Sequence, residues 1–317
     1  MRARYGTLEC FLPWRQQTRP IPWEEEFEAQ RPLEVEIGFG NGEFLVRRAG
    51  ANPERSFVGL EMKWGSIRRA LRRIEGLGLR NVRLLQVDAR VALHRLFRPR
   101  TVDRFYSLFP CPWPKGRHAH HRLFGSDFLV LVNSRLTEGG SFLIVTDYAP
   151  FRDGILKNVA GTGLGCRLQV ESARHDTKYE RLWLSQGQQE FYELHFWKES
   201  HRQVPVAEES DLETHFIEHF QADRFHPEGL RGQITVEFKD FLYDPVRRRA
   251  MVGVFASEPG LAQRFWVEIA LQNEGNRWAI FPAPGTGVVP VLSVQRALEL
   301  VHRACRRAMP ENTSLSG

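Results

Sequence analysis

The 317-residue chain is short of cysteine, of lysine and of long apolar runs, and each shortage closes off a class of protein. Cys10, Cys111, Cys166 and Cys305 lie far apart with no CxxC pair. Neither a zinc knuckle nor a disulfide framework is suggested, and a reduced, cytoplasmic protein is expected. No stretch approaches the roughly 20 apolar residues of a membrane span, so no membrane partner is expected. The opening MRARYGTLECFLPW has no apolar core of signal-peptide length, so no export signal is expected. Lysine is scarce although the chain is basic: 44 Lys and Arg against 38 Asp and Glu give a net charge of +6, almost all of the excess arginine. Forked guanidinium groups suit phosphate better than a point charge does, and such an excess is compatible with a nucleic-acid partner.

What is present is organised around residues 33–42, LEVEIGFGNG. Leu33, Val35 and Ile37 alternate with Glu34 and Glu36, a strand pattern, and Gly38, Gly40 and Gly42 follow in a loop with little side chain. Glu43 to Arg48 reads as the opening of a helix. A strand, a bare loop and a helix N-terminus bring backbone close to a flat or anionic ligand.

Downstream, strands are expected at 56–61, 81–88, 101–109 and 141–147. Helices are expected at 64–76, where Ile67, Leu71 and Ile74 share a face opposite Arg68, Arg69, Arg72 and Arg73, and at 123–136, ended by Gly139-Gly140. Residues 24–28 suggest a short helix packed through Trp23 and Phe27. Alternating strands and helices predict an α/β, doubly wound parallel sheet with its ligand site at the carboxyl ends of the strands, where Glu61, Asp88, 110–113 and Asp147 all fall. Residues 166–172 and 190–197 predict an antiparallel hairpin at a sheet edge. Polar composition over 198–210 reads as a linker. Beyond it, a short helix at 212–221, strands near 231–239, 250–256, 264–271 and 276–281 with a turn at 273–276, and a closing helix at 291–309 predict a small α+β domain.

Ligand chemistry follows from charge. A dinucleotide fingerprint wants a third glycine where Glu43 stands. Glu61, some twenty residues on, is placed to accept from two ribose hydroxyls, and Asp88 from an adenine amino group; the bland alternative is ordinary strand-end carboxylates. Glu36, inside a buried strand end, is costly unless paired. The sulfonium and amino cations of S-adenosylmethionine (SAM) would pair it, whereas a pyrophosphate would be repelled, so SAM is favoured over NAD.

The stretch LFPCPWPKGRHAHHR (108–122) holds prolines on both sides of Cys111 and Trp113, a stiff turn with a stacking face able to clamp a planar base. Lys115, Arg117, His118, His120, His121 and Arg122 form a basic run suited to phosphate or RNA backbone. HAHH lacks carboxylate or thiolate partners at suitable spacing, so no metal is expected.

EIGFGNGEFL, FVGLEMK, LFPCPWPKGRHAHHRL, TDY and TKYERLW, in that order, resemble the bacterial tRNA (guanine-N7-)-methyltransferases over about residues 33–198. The resemblance implies a class I SAM-dependent methyltransferase (Rossmann-like) domain, set at 1–200; the pattern beyond the linker, not the resemblance, adds a C-terminal α+β domain over 201–317, tRNA-binding or stabilising. It implies methylation of N7 of a guanine in the tRNA variable loop. Carried over residue by residue, it implies SAM contacts at Glu36, Glu61 and Asp88, beside Gly38 and Gly40 of the loop. The implied tRNA contacts are Lys115, Asp147, Thr177, Lys178, Tyr179 and Glu180. One departure stands out: the family's PDPW Asp, assigned to catalysis, is Cys111 here. N7 of guanine has a free lone pair and needs no general base. Losing one preorganised charge costs about 2.7–4 kcal/mol, less than the ~7–11 kcal/mol that positioning supplies. A slower enzyme is therefore expected, with Asp147 carrying the charge role; the alternative is an RNA-binding relative that has lost its chemistry. On the last helix Arg296, Arg303, Arg306 and Arg307 read either as a solvated face or as an extra tRNA grip.

Overall fold

The computed structural model describes residues 8–112, 122–272 and 277–308. The expectations on Trp113, on the basic run from Lys115 to His121 and on the turn at 273–276 lie outside the described residues. The chain divides into two compact units, Met1–Ala207 and Glu208–Gly317.

In the first unit α1 (Trp23–Glu26) precedes β1 (Leu33–Ile37), α2 (Glu43–Ala51), β2 (Ser56–Glu61), α3 (Trp64–Leu77), β3 (Val82–Gln86), α4 (Ala89–Arg95) and β4 (Val102–Leu108). Then follow α5 (Ser126–Arg135), β5 (Leu136–Thr146), α6 (Ala149–Lys157), β6 (Leu164–Ser172), α7 (Lys178–Ser185) and β7 (Glu190–Lys198). The seven strands lie in the order β3-β2-β1-β4-β5-β7-β6. Strand β7 runs against its neighbours β5 and β6, the class I methyltransferase arrangement. The expected hairpin is present as β6 and β7, with β7 against β5 and β6 at the sheet edge. At the other edge Phe11 bridges to Leu84 of β3, which covers open hydrogen-bonding groups.

All five residues of β1 are buried, so its alternation marks two covered faces rather than one wet face. Glu34 is fully buried and is held there by Arg48 and Arg55. Helix α3 follows its spacing: Ile67, Ala70, Leu71 and Ile74 are buried, the four arginines point outward, and Gly78 ends the helix in a left-handed conformation (φ 63°).

One local expectation of the first unit fails. Gly139-Gly140 does not end a helix; α5 stops at Arg135, and β5 runs through both glycines. Gly139, at φ 73°, absorbs a register shift against β4, where Val102 pairs with Leu136 but Arg104 with Ser141. Helices α4, α6 and α7 stand in stretches to which the sequence pattern assigns no element. Asp88 caps α4 by accepting from the Arg90 and Val91 amides (2.8 and 3.4 Å), and Thr177 caps α7 by accepting from Glu180 N (3.2 Å).

The second unit is an antiparallel sheet of β8 (His215–Ile217), β9 (Thr235–Asp244), β10 (Arg249–Glu258), β11 (Leu261–Leu271) and β12 (Trp278–Pro282), in the order β8-β12-β11-β10-β9. Helix α8 (Leu292–Arg307) packs on it through Val294, Ala297, Leu298, Val301 and Ala304. The helix expected at 212–221 is absent: its apolar core, His215–Ile217, forms β8 on the open edge of β12, where tertiary pairing overrides local propensity.

Candidate active site

Strand order reverses between β1 and β4, and ligands of doubly wound sheets sit outside the carboxyl ends there. Glu36 on β1 lies in register with Tyr106 on β4. Glu61 ends β2, Asp88 follows β3, Cys111 follows β4 and Asp147 follows β5.

The glycines divide by role. Gly38 and Gly40 have left-handed φ of 73° and 55°, with open space where a Cβ would project. Gly42 is also left-handed, but a Cβ there would stand 2.6 Å from Ala70 of α3. The first two border open space, and the third allows α2 and α3 to approach.

Glu36 is 3% exposed. It accepts from the Leu45 amide in the first turn of α2, whose N-cap, Gly42, has no side chain to offer. Its Oε2 is buried with no hydrogen-bond partner among the described residues. Burial pushes its carboxyl up to about 8. An orphaned acid at the threshold of an open glycine loop is the environment a cation would complete, so the donor set fits SAM.

Glu61 pins the loop: Oε1 accepts from the Met62 and Lys63 amides (2.8 and 2.9 Å) and Oε2 from Gly40 N (3.1 Å). Asp88 uses Oδ1 for its cap, which leaves Oδ2 outside it. Both carboxylates therefore do structural work at the positions expected to meet ligand.

Around the chemistry, Phe109 sits at φ 52° directly before Pro110, and its ring is edge-on to Phe191 at 5.4 Å. A bulky left-handed residue before proline is strained by about 1–3 kcal/mol, and such strain gathers at functional sites. Cys111 is exposed and reduced. Asp147 is half-buried, and burial raises its carboxyl above the ordinary range.

The TKYE segment is a cap as much as a contact surface. Glu180 is buried, and its Oε1 accepts from the Arg174 and His175 amides (2.9 and 3.1 Å) while Oε2 has no hydrogen-bond partner among the described residues. Lys178 and Tyr179 face outward. Lys115 lies outside the described residues.

Sequence reasoning passes over Glu193. This buried strand acid accepts from His175 (2.7 Å), His195 (2.9 Å) and Arg174 Nε (2.8 Å). Burial opposes ionisation, but the His175 and Arg174 bonds outweigh it and hold the carboxyl at about 2. Its only sequence signal is an acid at an inward position of an otherwise apolar strand, FYELHF.

Together the reversed seventh strand, the open glycine loop and the ring of acids define a class I methyltransferase. Residues 30–193 match the model of a family described as "Putative methyltransferase". The chain is 43% identical over 169 residues to the tRNA (guanine-N(7)-)-methyltransferase of Chlorobium phaeobacteroides, a match covering 53% of this chain and 83% of that protein. It is 38% identical over 175 residues to that of Thermotoga maritima, covering 54% and 56%. It is 29% identical over 303 residues to that of Aquifex aeolicus, covering 92% and 98%. The chain belongs to the tRNA (guanine-N7-)-methyltransferase family.

Proposed function

We propose that the first unit transfers a methyl group from SAM to N7 of a guanine in tRNA, the variable-loop guanine being the expected target. The observation that carries this is the orphaned Oε2 of Glu36 beside the open space at Gly38 and Gly40. When bound, SAM supplies an electrophilic methyl carbon. Glu36 would pair the cofactor's cationic end, Gly38 and Gly40 would let the backbone approach, and Glu61, which holds the loop, would accept from ribose hydroxyls. Asp88, its Oδ1 taken by the cap, would accept from the adenine amino group with Oδ2.

Asp147 supplies negative charge as the guanine ring becomes cationic, the electrostatic part that Cys111 cannot supply. No proton has to leave N7, so no residue serves as base. Lys115, Thr177, Lys178, Tyr179 and Glu180 are assigned to tRNA. A tRNA substrate makes a cytoplasmic location the expectation.

The second unit is assigned a stabilising part. Of the four α8 arginines, Arg296 pairs with Glu299 (2.6 Å) and Arg307 with Glu228 (3.0 Å). The inactive alternative has only Cys111 in its favour, against a cofactor site whose Glu36 and glycine loop are intact. Incubating the protein with labelled SAM and unmodified tRNA transcripts, then digesting to nucleosides, tests the reading. Labelled 7-methylguanosine is expected; its absence at high enzyme concentration overturns the proposal.

A further inference from the structure

Helix α7 buries one side chain, Glu180, and leaves Tyr179, Leu182 and Leu184 at least 40% exposed. Trp183 packs at the edge of the Tyr106–Phe109–Phe191 cluster. Ion pairs of Arg181 and Asp176 tie the helix and its N-terminal flank to the first turns of α2, the helix that leaves the glycine loop. Glu43, its first residue, has a side chain only 12% exposed with both oxygens engaged. Oε1 lies 3.0 Å from Arg73 of α3, and Oε2 lies 2.8 Å from Arg181 of α7.

Arg181 also holds the Asp176 carboxylate (2.6 Å) and carbonyl (2.7 Å). Arg47, one turn further along α2, reaches Asp176 at 3.6 Å and the His175 carbonyl. Phe44 stands edge-on to His175 at 5.9 Å. Glu43, Phe44 and Arg47 thus all touch residues 175–181, the segment that contains TKYE.

An acid in the first turn of a helix is ordinarily explained by the helix dipole. That explanation requires no partner, whereas Glu43 is clasped by arginines from two other helices. We propose that Glu43 is a positioning residue that couples the cofactor loop to the tRNA-binding segment; this rests on the tRNA methyltransferase reading above. A ligand that restrains residues 38–42 fixes the start of α2 and with it the Glu43 carboxylate. The carboxylate then sets Arg181 and the cap of α7. By linkage the effect is reciprocal: bound tRNA tightens SAM binding by the same factor that bound SAM tightens tRNA binding.

The test uses the full chain with Glu43→Gln, Arg181→Gln, the double variant and Glu43→Asp. Each Gln variant should raise the KM for tRNA about fivefold or more. Turnover at saturating tRNA and SAM affinity without tRNA should hold, and the gain in SAM affinity on adding tRNA should disappear. The double variant should be no worse than the worse single one, and Glu43→Asp should recover part of the loss. Unchanged KM, additive losses, or a loss confined to SAM affinity overturns the proposal. Should Glu43→Gln not fold, the half-exposed Arg181→Gln carries the same test.

Hydrogen exchange separates this from the functional reading. Amides over 174–186 should exchange faster in Glu43→Gln whatever the substrate, and unchanged exchange overturns the latch. A wild-type protein that makes no 7-methylguanosine overturns the functional reading alone.

Discussion

Glu36 in the first unit and Glu268 in the second are both buried glutamates on strands, and they are treated in opposite ways. Glu268 lies 2.7 Å from Arg249 on the neighbouring strand and is satisfied within the fold. Glu36 keeps one oxygen buried without a hydrogen-bond partner among the described residues. Leaving such a group unmet costs about 1–3 kcal/mol or more, a cost that stands unless a ligand answers it. The contrast extends to charge. Residues 1–207 hold 32 Lys and Arg against 23 Asp and Glu, and residues 208–317 hold 12 against 15. The basic character of the whole chain belongs to its first unit, which is therefore expected to supply the electrostatic part of tRNA binding.

The largest expected effect falls on the carboxylate pair. Glu36→Gln should weaken SAM binding by about 2–5 kcal/mol, the cost of removing one member of a buried charge pair. Glu268→Gln should leave SAM affinity untouched. Calorimetric titration of both variants checks this. Equal losses would break the comparison by making Glu36 merely structural.

Next in size is the chemical step. Asp147→Ala should lower kcat by about 10²–10³, the usual cost of one preorganised electrostatic group. Cys111→Asp should raise it. Single-turnover rates with tRNA transcripts decide: a rise without Asp147 dependence would mean that Asp147 does not compensate for Cys111.

The smallest effect sharpens the electrostatic half. Replacing Arg68 and Arg72 on exposed α3 by Gln should lower the salt slope of tRNA binding by about 1 for each phosphate that is no longer gripped. The same change at Arg303 and Arg306 on α8 should leave the slope unaltered. A slope that changes only with the α8 variant would transfer the tRNA grip to the second unit.

The parallel sheet, the glycine loop and the burial of Glu36 were legible because strand alternation, closely spaced glycines and a misplaced acid each leave a local mark. Two kinds of feature were not. Asp88, Thr177 and Glu180 carry cap signals and ligand signals in the same residues, and reading them as contacts hides α4 and α7. The strand at His215–Ile217 depends on the open edge of β12, more than 60 residues further along the chain, which no local pattern reports. Glu43 and Glu193 likewise gain their meaning only from arginines and histidines brought in by other elements.

The proposed cofactor site turns on Glu36, whose carboxyl is pushed by burial up to about 8 from an ordinary 4.5. A raised carboxyl pKa means the fold binds a proton that the unfolded chain releases, so Glu36 erodes stability as pH rises from about 4.5 through about 8. Pairing with SAM must expel that proton. Calorimetry of SAM binding near pH 7 in buffers of different ionisation enthalpy measures it directly. Wild-type protein should release about one proton more than Glu36→Gln and bind more tightly as pH rises towards 8. Equal proton release, or equal affinity in the two proteins, would contradict the account.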